Sequence, residues 1–232
     1  MEQIKYEDDQ ILVFHKPAGL AVQTSRLGQK DVVSILKNYR AARQEMPYIA
    51  PINRLDQPVE GLLLLAKTKE AAAELTTRLK AHQMDKCYRA VVCNDRNQPL
   101  LAGEEGGLTD YLLKDGKTNC SKVVKKGTPG AKEAILKYRV IKADENLAEL
   151  YIELLTGRHH QIRVQLANAS LPILGDFKYG RKDASDVSGM KISLALCSVK
   201  ISFMHPKNRK KMEFEIEPKN PAFQLLCGLP SA

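Results

Sequence analysis

The sequence predicts an α+β fold, a mainly antiparallel, mixed β-sheet core flanked by helices. Three observations lead there. Apolar runs of strand length recur along the chain and are bounded by Gly, Pro, Asn and Asp. Only a few segments carry the three-to-four-residue apolar spacing of a helix. Strands and helices also fail to alternate one for one, as a doubly wound parallel sheet would require. With 232 residues and 44% hydrophobic content the chain can bury a sizeable core. A single domain over residues 1–232 is expected.

Taken in order, Ile4 to Phe14 alternates loosely around Asp8-Asp9 and then meets Lys16-Pro17-Ala18-Gly19, the pattern of a short hairpin ending in a turn. Asp31 to Arg43 has apolar residues at 32, 35, 36 and 39 behind a possible Asp31 cap, which is helical spacing. Leu62 to Leu65 before Ala66 reads as a buried strand, and Pro58 and Gly61 force a turn ahead of it. A second helix is expected from Thr68 to His82, with Thr68 as cap, Glu70 suited to the positive end, and Ala72, Leu75 and Leu79 along one side. Strands follow at Cys87–Cys93, Ala134–Ile141, Leu147–Leu155, Ile192–Phe203 and Lys211–Ile216. Between them, Leu100 to Gly130 is rich in Gly, Lys and Thr and reads as a flexible insertion or a binding flap.

Charge narrows the partners. A net charge of +9 favours a polyanion, either nucleic acid or an anionic membrane surface. No apolar run approaches the roughly 18 residues of a membrane span, and the start Met1-Glu2-Gln3-Ile4-Lys5 lacks the apolar stretch of a signal peptide. A cytoplasmic protein without a membrane partner is expected. Cys87, Cys93, Cys120, Cys197 and Cys227 are odd in number and widely spaced, hence reduced and mostly buried. His159 and His160 have no Asp, Glu or Cys at a metal-motif offset, so no metal site is expected.

Two stretches carry chemistry. The first runs Pro51-Ile52-Asn53-Arg54-Leu55-Asp56-Gln57-Pro58-Val59-Glu60-Gly61 into the leucines, and it places Asp56 on a loop held against a rigid strand. By spacing alone Asp56 could equally cap the turn or pair with Arg54. The second runs Leu154-Leu155-Thr156-Gly157-Arg158-His159-His160-Gln161-Ile162-Arg163-Val164-Gln165, a strand entering a glycine turn that opens a helix. Thr156, Arg158 and His159 lie near the positive end of that helix, which suits phosphate, although a basic solvated helix start would look the same.

Together these strings resemble the two signature motifs of the RluA-type pseudouridine synthases. The first is matched at Arg54, Leu55, Asp56, Gly61, Leu62, Leu63, Ala66 and Lys67. The second is matched at Thr156-Gly157-Arg158, His160-Gln161-Ile162-Arg163, Pro172-Ile173, Gly175-Asp176 and Tyr179-Gly180. Glu7-Asp8-Asp9, Lys16-Pro17-Ala18-Gly19, Lys86-Cys87-Tyr88-Arg89-Ala90 and Met204-His205-Pro206 extend the resemblance over nearly the whole chain. Several family members carry an additional amino-terminal S4-type RNA-binding domain; this chain looks like the short form with a catalytic domain alone, expected to act as a monomer.

The resemblance implies that uridine in a structured ribosomal or transfer RNA is isomerised to pseudouridine, a reaction without a redox step and so without need of a cofactor. Asp56 would be the nucleophile, Arg163 the cation that holds its carboxylate, and Tyr88 the ring that stacks on the target base and accepts the C5 proton. Arg54 would help extrude the base. Arg158, His160 and Gln161 join it as candidate RNA contacts, with Lys122, Lys125 and Lys126, and a second basic run from Lys207 to Lys211.

Some positions depart from the family pattern. Asn53 stands where His is usual, Val59-Glu60 where Thr-Ser is usual, Gln57-Pro58 replaces a charged pair, and Gln165 and Cys197 stand where His is common. Glu60 is expected to place a negative charge close to RNA. Two other readings remain open on the sequence: an inactive relative that only holds RNA, and a glycoside hydrolase using Asp56 and Glu60 as its carboxylate pair.

Overall fold

A computed structural model describes residues 2–24, 28–94, 98–180, 186–187 and 190–227. In chain order the elements are β1 (Ile4–Glu7), β2 (Ile11–Lys16), α1 (Val32–Ala41), β3 (Ala50–Pro51), β4 (Glu60–Ala66), α2 (Lys69–Lys80), β5 (Asp85–Cys93) and β6 (Glu105–Asp115). They continue with β7 (Cys120–Val124), β8 (Lys132–Ala143), β9 (Leu147–Leu154), α3 (Gln161–Asn168), β10 (Asp186–Val187), β11 (Met190–Lys191), β12 (Leu196–Met204) and β13 (Lys211–Glu215). The chain divides into two compact units, Met1–Asp85 with Ser198–Glu217, and Lys86–Cys197 with Pro218–Ala232.

In the first unit the sheet runs β1, β2, β4, β12 and β13 in spatial order, and β3 adds to β4. β2 and β4 pair antiparallel from Ile11 opposite Ala66 to Lys16 opposite Gly61. Every residue of both strands is buried, which is why Leu62 to Leu65 read as an unbroken apolar run rather than an alternation. On one face Ile11, Val13, Leu62, Leu64, Ile201 and Phe203 pack with Ala71 and Leu75 of α2. Each buried leucine contributes roughly 1.5 to 3 kcal/mol, so β4 is a rigid rail beneath the loop that precedes it.

The two long helices start where the capping residues said they would. Asp31 accepts from the Ser34 amide at 2.7 Å while the Ser34 hydroxyl accepts from the Asp31 amide at 3.1 Å, a reciprocal cap worth about 1 kcal/mol. Thr68 Oγ1 accepts from the Ala71 amide at 3.1 Å at the start of α2, and Glu70 in the first turn and Arg78 and Lys80 in the last suit its dipole. The β1–β2 turn is closed by Asp8 Oδ1, which accepts from the amides of Gln10 and Ile11 at 2.8 and 2.9 Å.

The second unit orders its strands β5, β9, β8, β6, β7, each pair antiparallel. The segment from Leu100 to Gly130, expected as a flexible insertion or a binding flap, carries the long hairpin of β6 and β7, and β6 pairs with β8 from Glu105 to Leu112. Gly106 and Gly107 disguise it as a turn. Gly106 stands opposite Tyr138, whose ring lies where a Cβ would be, so the glycine makes room for an aromatic on the neighbouring strand. The strand expected from Ile192 begins only at Leu196. Before it, the carbonyls of Ser193 and Leu194 accept from Asn220 Nδ2 at 3.1 Å, so their backbone is tied to a side chain rather than to a ladder.

α3 is short and almost wholly buried from Gln161 to Leu166. Val164 packs on Leu112 of β6 and Ala134 of β8, and Gln165 Nε2 donates to Asp110 Oδ2 at 2.8 Å and to the Ala134 carbonyl at 3.1 Å. The helix is thus locked to the hairpin and is no solvated surface helix. All five cysteines are free thiols, with Cys87, Cys93 and Cys197 buried.

Candidate active site

Asp56 lies half-buried on the loop that feeds β4, between buried Leu55 and Val59. Three attachments fix that loop. Asn53 behaves like a strand residue, its Nδ2 donating to the Leu62 carbonyl at 3.1 Å and its Oδ1 accepting from the Leu64 amide at 2.7 Å. The Val59 amide donates back to the Asp56 carbonyl at 3.0 Å, closing the turn. The Gln57 carbonyl accepts from the Gly19 amide at 2.9 Å and from Lys16 Nζ at 3.0 Å.

Lys16 is the unexpected member. Its ammonium is fully buried and donates to the carbonyls of Pro17, Leu20 and Gln57 at 3.0, 2.7 and 3.0 Å. Burial pushes its pKa down to about 8, against the pull of the negative charges of Asp56 and Glu60. A cation with all three donors spent on carbonyls holds the Lys16–Leu20 turn and the Asp56 loop as one piece.

Glu60 does not face solvent. It is 5% exposed and meets His15 Nε2 at 3.0 Å. His15 stands opposite Leu62, two residues beyond Glu60, so the pair is a diagonal contact on one face of β2 and β4. Gly61 follows in a left-handed conformation (φ +133°), and a Cβ there would collide with the backbone of Ser198. Only glycine lets β4 pass β12 at that point. Arg54, by contrast, is exposed.

In the second unit, the turn from Thr156 to Gln161 is organised by Gln161, which is 3% exposed. Its Oε1 accepts from Thr156 Oγ1 at 2.8 Å and from the Arg158 amide at 3.0 Å, while its Nε2 donates to the Ile135 carbonyl at 3.1 Å. The left-handed residue of the turn is His160 (φ 53°), not Gly157. A non-glycine residue there is uncommon and is held by its surroundings. His160 stacks on His159 with centroids 3.8 Å apart, and its Nδ1 meets Tyr179 Oη at 2.8 Å.

That phenol accepts from the Ser121 amide at 2.7 Å and keeps its own proton to donate. Burial pushes the Tyr179 pKa up to about 12 and keeps that proton in place. Ser121 Oγ also donates to the His159 carbonyl at 2.8 Å, so β7 is anchored to the turn before α3.

Arg163 is 4% exposed and forms a two-pronged pair with Asp176, Nε to Oδ2 at 2.8 Å and Nη2 to Oδ1 at 2.7 Å. Its guanidinium sits 5.2 Å from the centre of the Tyr179 ring. Burial works to raise the Asp176 pKa, but the hydrogen bonds and charge of Arg163, with the amides of Lys178 and Tyr179, outweigh it and hold the carboxyl below its ordinary value. Asp176 therefore orients the arginine, a role the sequence reading did not give it. Tyr88 is buried on β5 opposite Ile152, and Lys122, Lys125 and Lys126 are exposed on and just after β7.

The comparisons with known proteins agree with one another. Residues 10–168 match the family model described as RNA pseudouridylate synthase. The chain belongs to that family. It is 31% identical to the ribosomal large subunit pseudouridine synthase D of Vibrio cholerae over 97% of this chain and 70% of that protein. It is 27% identical to the ribosomal large subunit pseudouridine synthase C of Vibrio parahaemolyticus over 99% of this chain and 70% of that one. In fold it resembles the solved Human RNA Pseudouridylate Synthase Domain Containing 4, with a TM-score of 0.72, 21% identity, and coverage of 94% of this chain and 89% of that one.

RNA pseudouridylate synthases are isomerases that convert uridine in RNA to pseudouridine, and the α+β fold expected from the sequence is theirs. The departures from the family pattern acquire structural jobs in this synthase. Asn53 clasps β4, Gln165 ties α3 to β6 and β8, Cys197 fills a fully buried position, and Glu60 pairs with buried His15. Lys16 and Asp176 stand in the matched segments Lys16-Pro17-Ala18-Gly19 and Gly175-Asp176, but the sequence assigned neither a role, because their partners lie on distant parts of the chain.

Proposed function

We propose that this chain isomerises a uridine of structured ribosomal RNA in the cytoplasm, acting as a monomer with Asp56 as nucleophile, Arg163 holding its carboxylate and Tyr88 beneath the base. The similarity that supports ribosomal RNA as the substrate is the match to a large-subunit synthase over 97% of this chain. In the reaction the bond from ribose C1′ to N1 breaks, the base turns, a bond from C1′ to C5 forms, and the proton lost from C5 is balanced by one taken up at N1. A carboxylate is ionised at neutral pH, so what Asp56 requires is fixed placement rather than activation, and the stapled loop supplies it. Attack at C1′, addition to C6 and assistance to loss of the C2′ proton all begin from the same oxygen.

The target must leave its stack to reach Asp56, a step that costs a few kcal/mol and falls to exposed Arg54 and to stacking on Tyr88. Arg158, Lys122, Lys125 and Lys126 present charge to the RNA backbone, and His160 and Gln161 hold the turn that carries Arg158. Carbodiimide labelling of RNA from a deletion strain tests this reading. The expected result is loss of one or a few marks from large-subunit ribosomal RNA, restored by the wild-type gene. Marks lost only from transfer RNA would move the substrate; no mark lost anywhere would favour a relative that binds RNA without reacting.

A further inference from the structure

Within the second unit the two cations Lys86 and Arg158 act on each other, with no anion offsetting them among the described residues. Lys86 is the second residue of β5 and lies on the same side as Tyr88, which is two residues and about 7 Å farther along the strand. Its ammonium lies over the glycine turn: a Cβ on Gly157 would stand 3.6 Å from Lys86 Nζ. Arg158, the next residue of that turn, is near enough for its charge to act on Lys86; its Nε donates to the Glu133 carbonyl at 2.7 Å, which leaves both Nη groups unused among the described residues. Lys86 is half-buried and takes no hydrogen bond or ion pair among the described residues. Burial and the neighbouring Arg158 both hold its pKa below the ordinary lysine value, and no carboxylate acts in the other direction.

Such an arrangement costs stability unless something outside the chain compensates it. Every other half-buried or buried cation described above has its counterpart, Lys16 in three carbonyls, Lys67 in Glu7 at 2.7 Å, Arg163 in Asp176. We propose that Lys86 and Arg158 form a seat for one phosphodiester of the RNA, next to the nucleotide whose base lies on Tyr88. A phosphate supplies what the pair lacks, a compact anion with several acceptor oxygens that a lysine can meet as a point charge and an arginine with two parallel donors. The inference rests on the reading of RNA as substrate, and it adds Lys86, which the family motifs do not assign to RNA, as a binding residue.

The test is binding rather than turnover, in the full-length Asp56→Asn protein, with a ten-residue oligouridylate titrated across salt concentration. Lys86→Met is expected to reduce the slope of log affinity against log salt by about 0.7, the share of one contacted phosphate on a single strand. Lys86→Arg should keep the slope, and Lys37→Met, which removes an exposed lysine of α1, should leave it unchanged. Arg158→Met should reduce it as well, and the double variant should lose no more than about 0.7 in all, because both cations meet one phosphate; a double loss near twice that value overturns the shared seat. A wild-type slope in folded Lys86→Met, or equal losses in Lys86→Met and Lys37→Met, overturns the seat. So does a Lys86→Arg protein that binds like Lys86→Met. Salt-independent binding by the parent protein overturns both this proposal and RNA as the substrate, whereas turnover by Asp56→Asn would refute only the role given to that aspartate.

Discussion

The loop that carries Asp56 and the turn that carries Arg158 are both built around buried or half-buried lysines, and they treat charge in opposite ways. At the Asp56 loop Lys16 spends its donors on three carbonyls and has Asp56 and Glu60 near, and Glu60 in turn has His15. That region is complete without a ligand. At the other turn the backbone is just as firmly held, by Gln161, but its two cations are left over. A self-sufficient network suits a reacting group whose position must not depend on the substrate, and a surplus of charge suits a surface whose partner is an anion.

The largest effect separating the two should come from breaking the buried pair that orients Arg163. Asp176→Asn leaves the guanidinium in place with one neutral acceptor, and a loss of about 3 to 5 kcal/mol in urea unfolding is expected. A change within 1 kcal/mol would mean that Arg163 has enough support elsewhere. Because the Asp176 pKa is lowered on folding, the unfolded chain binds the proton first as pH falls; this group's stabilisation is whole near neutrality and fades with acid. The wild-type advantage over Asp176→Asn should shrink accordingly below the ordinary aspartate value.

Next comes Glu60→Ser, which leaves His15 buried without its partner and should cost about 1 to 3 kcal/mol. His15→Asn with Glu60→Ser should recover part of that loss, since the two residues answer one another; strictly additive losses would show they do not. Lys16 supplies a smaller, pH-dependent effect. With its pKa down to about 8, the folded protein releases that proton before the unfolded chain does, so this group's stability term rises with pH above 8. Turnover should nevertheless fall above about pH 8 as the ammonium that staples the Asp56 loop is lost. An alkaline fall in kcat retained in Lys16→Met would assign it to another group. Smallest should be single exposed lysines of β7 and the residues after it: Lys125→Met is expected to lower the salt slope of RNA binding by no more than about 0.7.

What was readable in advance divides along the same line of local against distant causes. Caps at Asp31 and Thr68 act within three residues and were visible, as was the leucine run of β4, because burial on both faces leaves no polar residue to interrupt it. β6 was not visible, since Gly106 serves an aromatic on β8, 32 positions away, and two adjacent glycines read as a turn. The pairing of Glu60 with His15 was not visible because His15 lies on another strand, and the left-handed His160 has no sequence cue at all. Asp56, Tyr88 and Arg163 were named from the motifs, and Lys16 and Asp176 stood among the matched positions, but the bonds by which these last two hold the aspartate's loop and the arginine are visible only in the folded chain.

The role of Asp56 is tested most directly by Asp56→Asn, a change that keeps the shape of the side chain and removes its nucleophilic charge. Product formation on ribosomal RNA from a deletion strain should disappear while RNA affinity and thermal stability stay at wild-type values; turnover retained by the variant would contradict the account.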